Sequence, residues 1–410
     1  MSDNEHSRVD RREFLQAGAV ASAAAVNLGS SSLAQEPKAA KAILPTRKLG
    51  KTGVDVTILN HGTWQAPGAL DRMLRTSYAS GVRYFDTAKV YRTEPGVSKW
   101  LQAMPEVRKN IFLATKDMPK TPDQLIGMLD QRLAALKTDY IDLLFVHALG
   151  DDHTADEAIA FAKSPEFAKT IEKIKKSGKA KFVGFSTHHP IKAQIIQAAA
   201  EGGFVDVIMV AYTPWLEKEH PVNKALDAAH AKGIGLISMK QLSGSDSARL
   251  EFLGQVSKHV PGLKEKGFSA YQGLLQAIWS DERISTCCVS MKNLEQIAEN
   301  SEAARKFEPL KAAQIQGLHD AFLASKPTMC ANCDGSCSRA GGTDAELGTL
   351  TRFLTYHEHH GHRADARRQY AEMTESARNW QGADLAAARA ACPSRLDFAE
   401  LLPKVGEYLG

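Results

Sequence analysis

Eight short apolar runs rich in Val, Ile, Leu and Phe, separated by longer amphipathic segments, constrain the fold of this chain more than any other feature. They span residues 56–60, 82–86, 111–116, 141–147, 180–186, 205–212, 235–240 and 284–290. Between them the periodicity becomes helical: over 122–136, Leu125, Met128, Leu129, Leu133 and Leu136 mark one face. Strands alternating with helices imply parallel pairing through crossovers, and eight such units over roughly 250 residues fit a closed barrel. An open doubly wound sheet is disfavoured, because no G-x-G-x-x-G turn follows the first strand. The expected fold is therefore α/β, a (β/α)8 TIM barrel over 46–325. It would open with a hairpin over 47–56, where Gly50 and Gly53 supply turns, and close with a helix over 312–324.

The chain has 410 residues, 43% hydrophobic and 24% charged, enough apolar sequence for a large core. Its net charge of +4 comes from nearly balanced bases and acids with no basic stripe interleaved with aromatics, so nucleic acid is not an expected partner. At the start, Arg11-Arg12 precede Phe14-Leu15 and an Ala-rich stretch that ends in Ser32-Leu33-Ala34. This resembles a twin-arginine signal peptide over 1–34, with Asp10 where Ser or Thr is usual, followed by a linker over 35–45. It implies an exported, periplasmic or otherwise extracytoplasmic protein. No later apolar run approaches the ~20 residues that cross a bilayer, so no membrane span is expected in the mature protein.

In a parallel barrel, residues at the C-terminal ends of strands face the rim where chemistry is assembled. Asp86, Lys116 and His147 end the second, third and fourth runs, and Tyr91 follows Asp86 in the next loop. A phenol with an ordinary pKa near ~10 donates its proton poorly until an ammonium favours the ionised form. Lys116 would supply that charge, Asp86 would hold it, and His147 would hydrogen-bond a carbonyl oxygen. Taken singly, each residue is an ordinary cap or core group. Four of these types at four such positions point to general acid–base work on a ketone or aldehyde.

With these residues the chain resembles the aldo-keto reductase family over approximately 46–304. The matches are Arg47-Lys48-Leu49-Gly50-Lys51-Thr52-Gly53, Tyr84-Phe85-Asp86-Thr87-Ala88 with Val90-Tyr91, Ala114-Thr115-Lys116, and Asp139-Tyr140-Ile141-Asp142-Leu143 leading to Val146-His147. Gly184-Phe185-Ser186, Leu294-Glu295-Gln296 and Glu299-Asn300 complete them. The resemblance implies a nicotinamide cofactor, NADP or NAD, across the rim, a small carbonyl or alcohol substrate, and Tyr91 as proton donor. It assigns cofactor contacts to Ser186, Tyr212, Lys240, Lys292, Glu299 and Asn300, with Tyr212 stacking on the nicotinamide. Thr187 and Met209 stand where the family usually has Asn and Gln, and a thioether lacks an amide's donors. An exported binding barrel that has lost catalysis is the alternative these substitutions favour.

The region 326–410 lies beyond the barrel and reads as a mainly helical extension, with helices over 347–357 and 364–374. Cys330, Cys333 and Cys337 form C-x2-C-x3-C, and Cys392-Pro393 follows after a long gap. Four thiolates can ligate a [4Fe–4S] cluster or zinc, and disulfides are the third option. The alternative a cluster opens is an iron–sulfur redox protein, with an electron-transfer partner, in which the barrel serves as scaffold. The run of four His within 356–362 is expected to be solvent-facing at a helix end rather than a metal site. Cys287-Cys288, in the last strand, are expected to be small core fillers.

Overall fold

The computed structural model describes residues 42–64, 70–240, 260–265, 267–325, 327–328, 330, 333–358 and 362–410. The twin-arginine segment expected over 1–34, and the linker up to residue 41, lie outside the described residues. A two-stranded hairpin, β1 (Thr46–Lys48) and β2 (Asp55–Thr57), precedes eight parallel strands. These are β3 (Leu59–Gly62), β4 (Tyr84–Asp86), β5 (Phe112–Asp117), β6 (Ile141–Val146), β7 (Ala180–Thr187), β8 (Val207–Ala211), β9 (Gly235–Met239) and β10 (Ile284–Val289). Each pairs with the next, and β10 pairs back onto β3, closing the barrel. All eight expected strands are present. The first begins three residues later than the apolar run, because Asp55–Thr57 is taken by antiparallel pairing with Thr46–Lys48.

Strand alternation divides the side chains between two cores. Tyr84, Phe112, Ala114, Leu143, Phe145, Val207, Met209 and Ile237 fill the barrel interior, closed below by Leu49 and Val56 of the hairpin region. Phe85, Leu113, Leu144, Val146, Ile208 and Val210 point outward and pack under the helices. At Gly184 of β7 an added Cβ would lie 1.8 Å from the Val207 carbonyl oxygen of β8. The expected helix over 312–324 is observed as Ala312–Ala324. No helix among the described residues is long and apolar enough to cross a membrane.

Beyond the barrel, helices Leu347–Glu358 and Phe398–Leu409 build a second core from Leu347, Leu350, Leu354, Phe398, Leu402 and Val405. Both expected helices of the extension are present, the second as Arg363–Glu372. Helix Leu347–Glu358 is amphipathic in two directions. Leu347, Leu350 and Leu354 face that core, and Thr349, Arg352, Phe353 and Tyr356, spaced i, i+3, i+4, i+7, line the barrel mouth, with Phe353 and Tyr356 belonging to both. Trp64, from the loop after β3, packs on this region with its ring 5.8 Å from Tyr356 and 6.2 Å from His362. Of the described histidines near this helix end, His357 is buried rather than solvent-facing and stacks on Tyr408 at 5.7 Å, and His362 is half-buried. His359 and His360 lie outside the described residues.

Candidate active site

The inward parity of each strand carries one residue past the interior core to the rim. Tyr84 leads to Asp86, Phe112 and Ala114 to Lys116, and Leu143 and Phe145 to His147. Lys116 Nζ donates to Asp86 Oδ1 and, at 3.0 Å, to the Thr87 carbonyl oxygen, with both side chains almost wholly buried. Tyr91 ends a 3-10 turn after β4, and its hydroxyl lies 3.5 Å from His147 Nε2, the two rings edge to face. Lys116 Nζ stands 5.2 Å from the Tyr91 ring centre. The four residues therefore meet at one rim.

Their electrostatics follow from burial and this juxtaposition. Burial works against the Lys116 charge, but the Asp86 carboxylate outweighs it and holds the ammonium above its ordinary value. Burial pushes the Asp86 carboxyl up, with Lys116 opposing. Burial likewise pushes the Tyr91 phenol up to about 12, against the pull of Lys116, so it is protonated at neutral pH. His147 is driven well below its ordinary value by burial and by Lys116 and Lys240, and is a neutral imidazole. A neutral ring can present one N–H and one acceptor. Below the rim, Glu94 joins β5 to the helices by accepting from Thr115 Oγ1 and pairing with Arg132, both at 2.7 Å.

The site opens into a cavity of about 1180 Å3. Ser186, Lys240, Lys292, Glu299 and Asn300 all line it, together with Met209. Ser186 Oγ also accepts from the Ala148 amide at 2.9 Å. Thr187, of opposite parity, is buried and donates to the Leu149 carbonyl oxygen at 2.9 Å. Tyr212 does not reach the mouth. It continues the outward face of Ile208 and Val210, packs in the outer core, and donates to Asp281 Oδ2 at 2.7 Å. The stacking role expected of it fails on this parity, which reading the β8 alternation from Met209 would have revealed.

Several mouth residues were not legible from the strand ends. Cys288 lines the cavity beside Asp86, not the outer core where Cys287 lies; adjacent strand residues face opposite ways. His188 and Asp151, 3.5 Å apart, come from the loops after β7 and β6. Arg352, Phe353 and Tyr356 come from the extension, and only the stripe spacing of their helix hinted at a second partner.

The four extension cysteines gather in one region. Cys337 and Cys392 are buried in the second core, with Cys330 packed against it. Helix Ser336–Ala340, carrying Cys337, joins helix Leu385–Ala391, capped by Cys392, through Gly341, whose amide bonds to Cys337 O and whose carbonyl accepts from Asp384 N. Gly348 lies so close to Cys330 that a Cβ there would stand 2.7 Å from its Sγ. Burial and the neighbouring thiols push Cys333, Cys337 and Cys392 up, the last to about 12. No disulfide links them, and no group of three or more His, Cys, Asp or Glu among the described residues is arranged to hold a metal ion.

The profile of the aldo/keto reductase family matches residues 59–251. L-galactose dehydrogenase of Arabidopsis thaliana is 25% identical over 64% of this chain and 89% of its own length. The NADPH-dependent alpha-keto amide reductase of Saccharomyces cerevisiae is 32% identical over 34% of this chain and 44% of its own. Among solved structures, an aldo-keto reductase of Bacillus halodurans superposes with a TM-score of 0.51 at 20% identity, covering 68% of this chain and 96% of that one, a likeness of fold. Over residues 59–251 the chain is therefore similar in sequence to the aldo/keto reductase family, whose named relatives are oxidoreductases, and its barrel shares the fold of an aldo-keto reductase.

Proposed function

We propose that the chain reduces a small carbonyl compound, or oxidises the corresponding alcohol, with Tyr91 as general acid or base. One observation carries this reading: the Tyr91 hydroxyl, the His147 imidazole and the Lys116–Asp86 pair share the barrel rim beside one cavity. In the reductive direction His147 Nε2–H holds the carbonyl oxygen, and Tyr91 delivers the proton to that oxygen. Lys116 eases the loss of this proton by favouring the phenolate, and Asp86 keeps Lys116 charged and in place.

A nicotinamide, when bound, supplies the hydride. The mouth exceeds the ~300–1,000 Å3 of a small-ligand site, which suits a cofactor together with its substrate. Ser186 would hold its carboxamide end, while Lys292, Glu299, Asn300 and Lys240 would contact the remainder. Met239, at the end of β9, lines the wall in place of the missing stacking ring. Tyr91→Phe is the test. It should lower kcat/KM by about 10^2–10^4 while leaving nucleotide affinity by fluorescence titration unchanged; unimpaired turnover would sink the assignment.

We also propose that Cys330, Cys333, Cys337 and Cys392 form a metal centre, a [4Fe–4S] cluster or zinc, on the strength of the burial of Cys337 and Cys392 in the second core, the packing of Cys330 against it, and the mutual influence of these thiols with Cys333. The twin-arginine reading of 1–34 accords with it, since that route carries proteins already folded around their cofactors.

A further inference from the structure

Lys192 opens the helix Lys192–Gly202 after β7, and it plays no part in the rim chemistry. Its side chain is 0% exposed, and its Nζ has no hydrogen-bond partner among the described residues. A buried ammonium left in this way costs several kcal/mol unless an anion stands beside it. Burial and Arg352 work against its charge, and the groups that favour it are Cys333 and Cys330, followed by Asp334. Asp334 is already engaged: Arg339 Nη2 lies 2.5 Å from its Oδ2, His220 Nε2 lies 3.4 Å from its Oδ1, and Ser336 donates to it. That leaves the sulfurs as the counter-charge. Protonated thiols and disulfides carry none. Four thiolates on zinc, or on an iron–sulfur core, outweigh the charge of the metal and leave the centre anionic.

The Cys-bearing loops also dock on the barrel near this lysine. A Cβ at Gly335 would stand 3.3 Å from Pro190 Cβ, two residues before Lys192, and the carbonyl oxygen of Pro393 lies 3.2 Å from His319 Nε2. We propose that Lys192 is a positioning residue, the buried counter-ion that seats an anionic four-cysteine metal centre against the barrel. The inference rests on the metal-centre reading above.

The test uses the full chain, purified anaerobically, with Lys192→Met and Lys192→Gln, which remove the charge, and Lys192→Arg, which keeps it. Each is loaded with equimolar ferrous and ferric iron and sulfide, or with Zn2+ alone. Without metal, both neutral variants should melt higher than the parent, because an unpaired buried charge is gone. With metal the sign reverses. An iron–sulfur centre should become harder to reduce by at least tenfold in its equilibrium, about 59 mV for a one-electron couple, and a zinc centre should bind at least tenfold more weakly. Lys192→Arg should restore either value. Equal potential and affinity in the parent and both neutral variants would overturn the role of Lys192 while leaving the metal centre standing. A parent chain that takes up neither metal would remove the centre itself, and Lys192 with it.

Discussion

At the scale of single residues, the Lys116–Asp86 pair has the most to lose. Both side chains are almost wholly buried, and each is the other's compensation for leaving water. Asp86→Asn should therefore cost about 3–5 kcal/mol of stability at pH 7, read from urea unfolding. The sign with pH is set by Lys116. Its folded value is raised, so its contribution is complete below the ordinary ~10.4 and fades as pH climbs through the folded value. An unchanged urea midpoint in Asp86→Asn would mean that the pair is not ionised. These residues were legible in the sequence because type and position coincide at strand ends. Tyr212 was not, because an aromatic at the end of a run says nothing about facing in or out until the strand's parity is counted from Met209.

At the scale of elements, the β7–β8 pairing depends on the missing side chain of Gly184. The atom it would strike is the Val207 carbonyl oxygen, fixed in the barrel ladder and unable to swing aside as a side chain does. Gly184→Ala should lower stability by about 3 kcal/mol, at the upper end of overpacking costs. Thermal melting of the purified variant reads this directly, and a Tm equal to the parent's would show that the strands separate without cost. Alternation of apolar runs made the eight strands legible, since a repeated pattern leaves few topologies. The hairpin expected over 47–56 forms as well, and because it pairs Asp55–Thr57 with Thr46–Lys48, the first barrel strand starts at Leu59 rather than Val56. Alternation could not show which face of helix Leu347–Glu358 meets the mouth, because both of its stripes look like core until the barrel is beneath them.

Across the whole molecule, buried imidazoles make the fold sensitive to acid. Burial drives His61 down to about 4 and His147 and His188 well below their ordinary value. The unfolded chain therefore takes up protons first, and stability falls as pH drops below ~6.5. His61 alone accounts for about 3 kcal/mol between there and its folded value. Urea midpoints should drop steeply from pH 7.5 to 5, with His61→Gln flattening the slope. A midpoint independent of pH would mean that these rings charge without penalty inside the fold.

One helix connects the two chemical neighbourhoods. Gly348 touches Cys330 near the start of Leu347–Glu358, and Tyr356 reaches the cavity eight residues on, about 12 Å along the axis. A continuous helix has no soft joint over that span, so it behaves as a lever rather than a tether. The same rigid rod that packs against a sulfur at one end thus supplies part of the entrance wall above Tyr91 at the other.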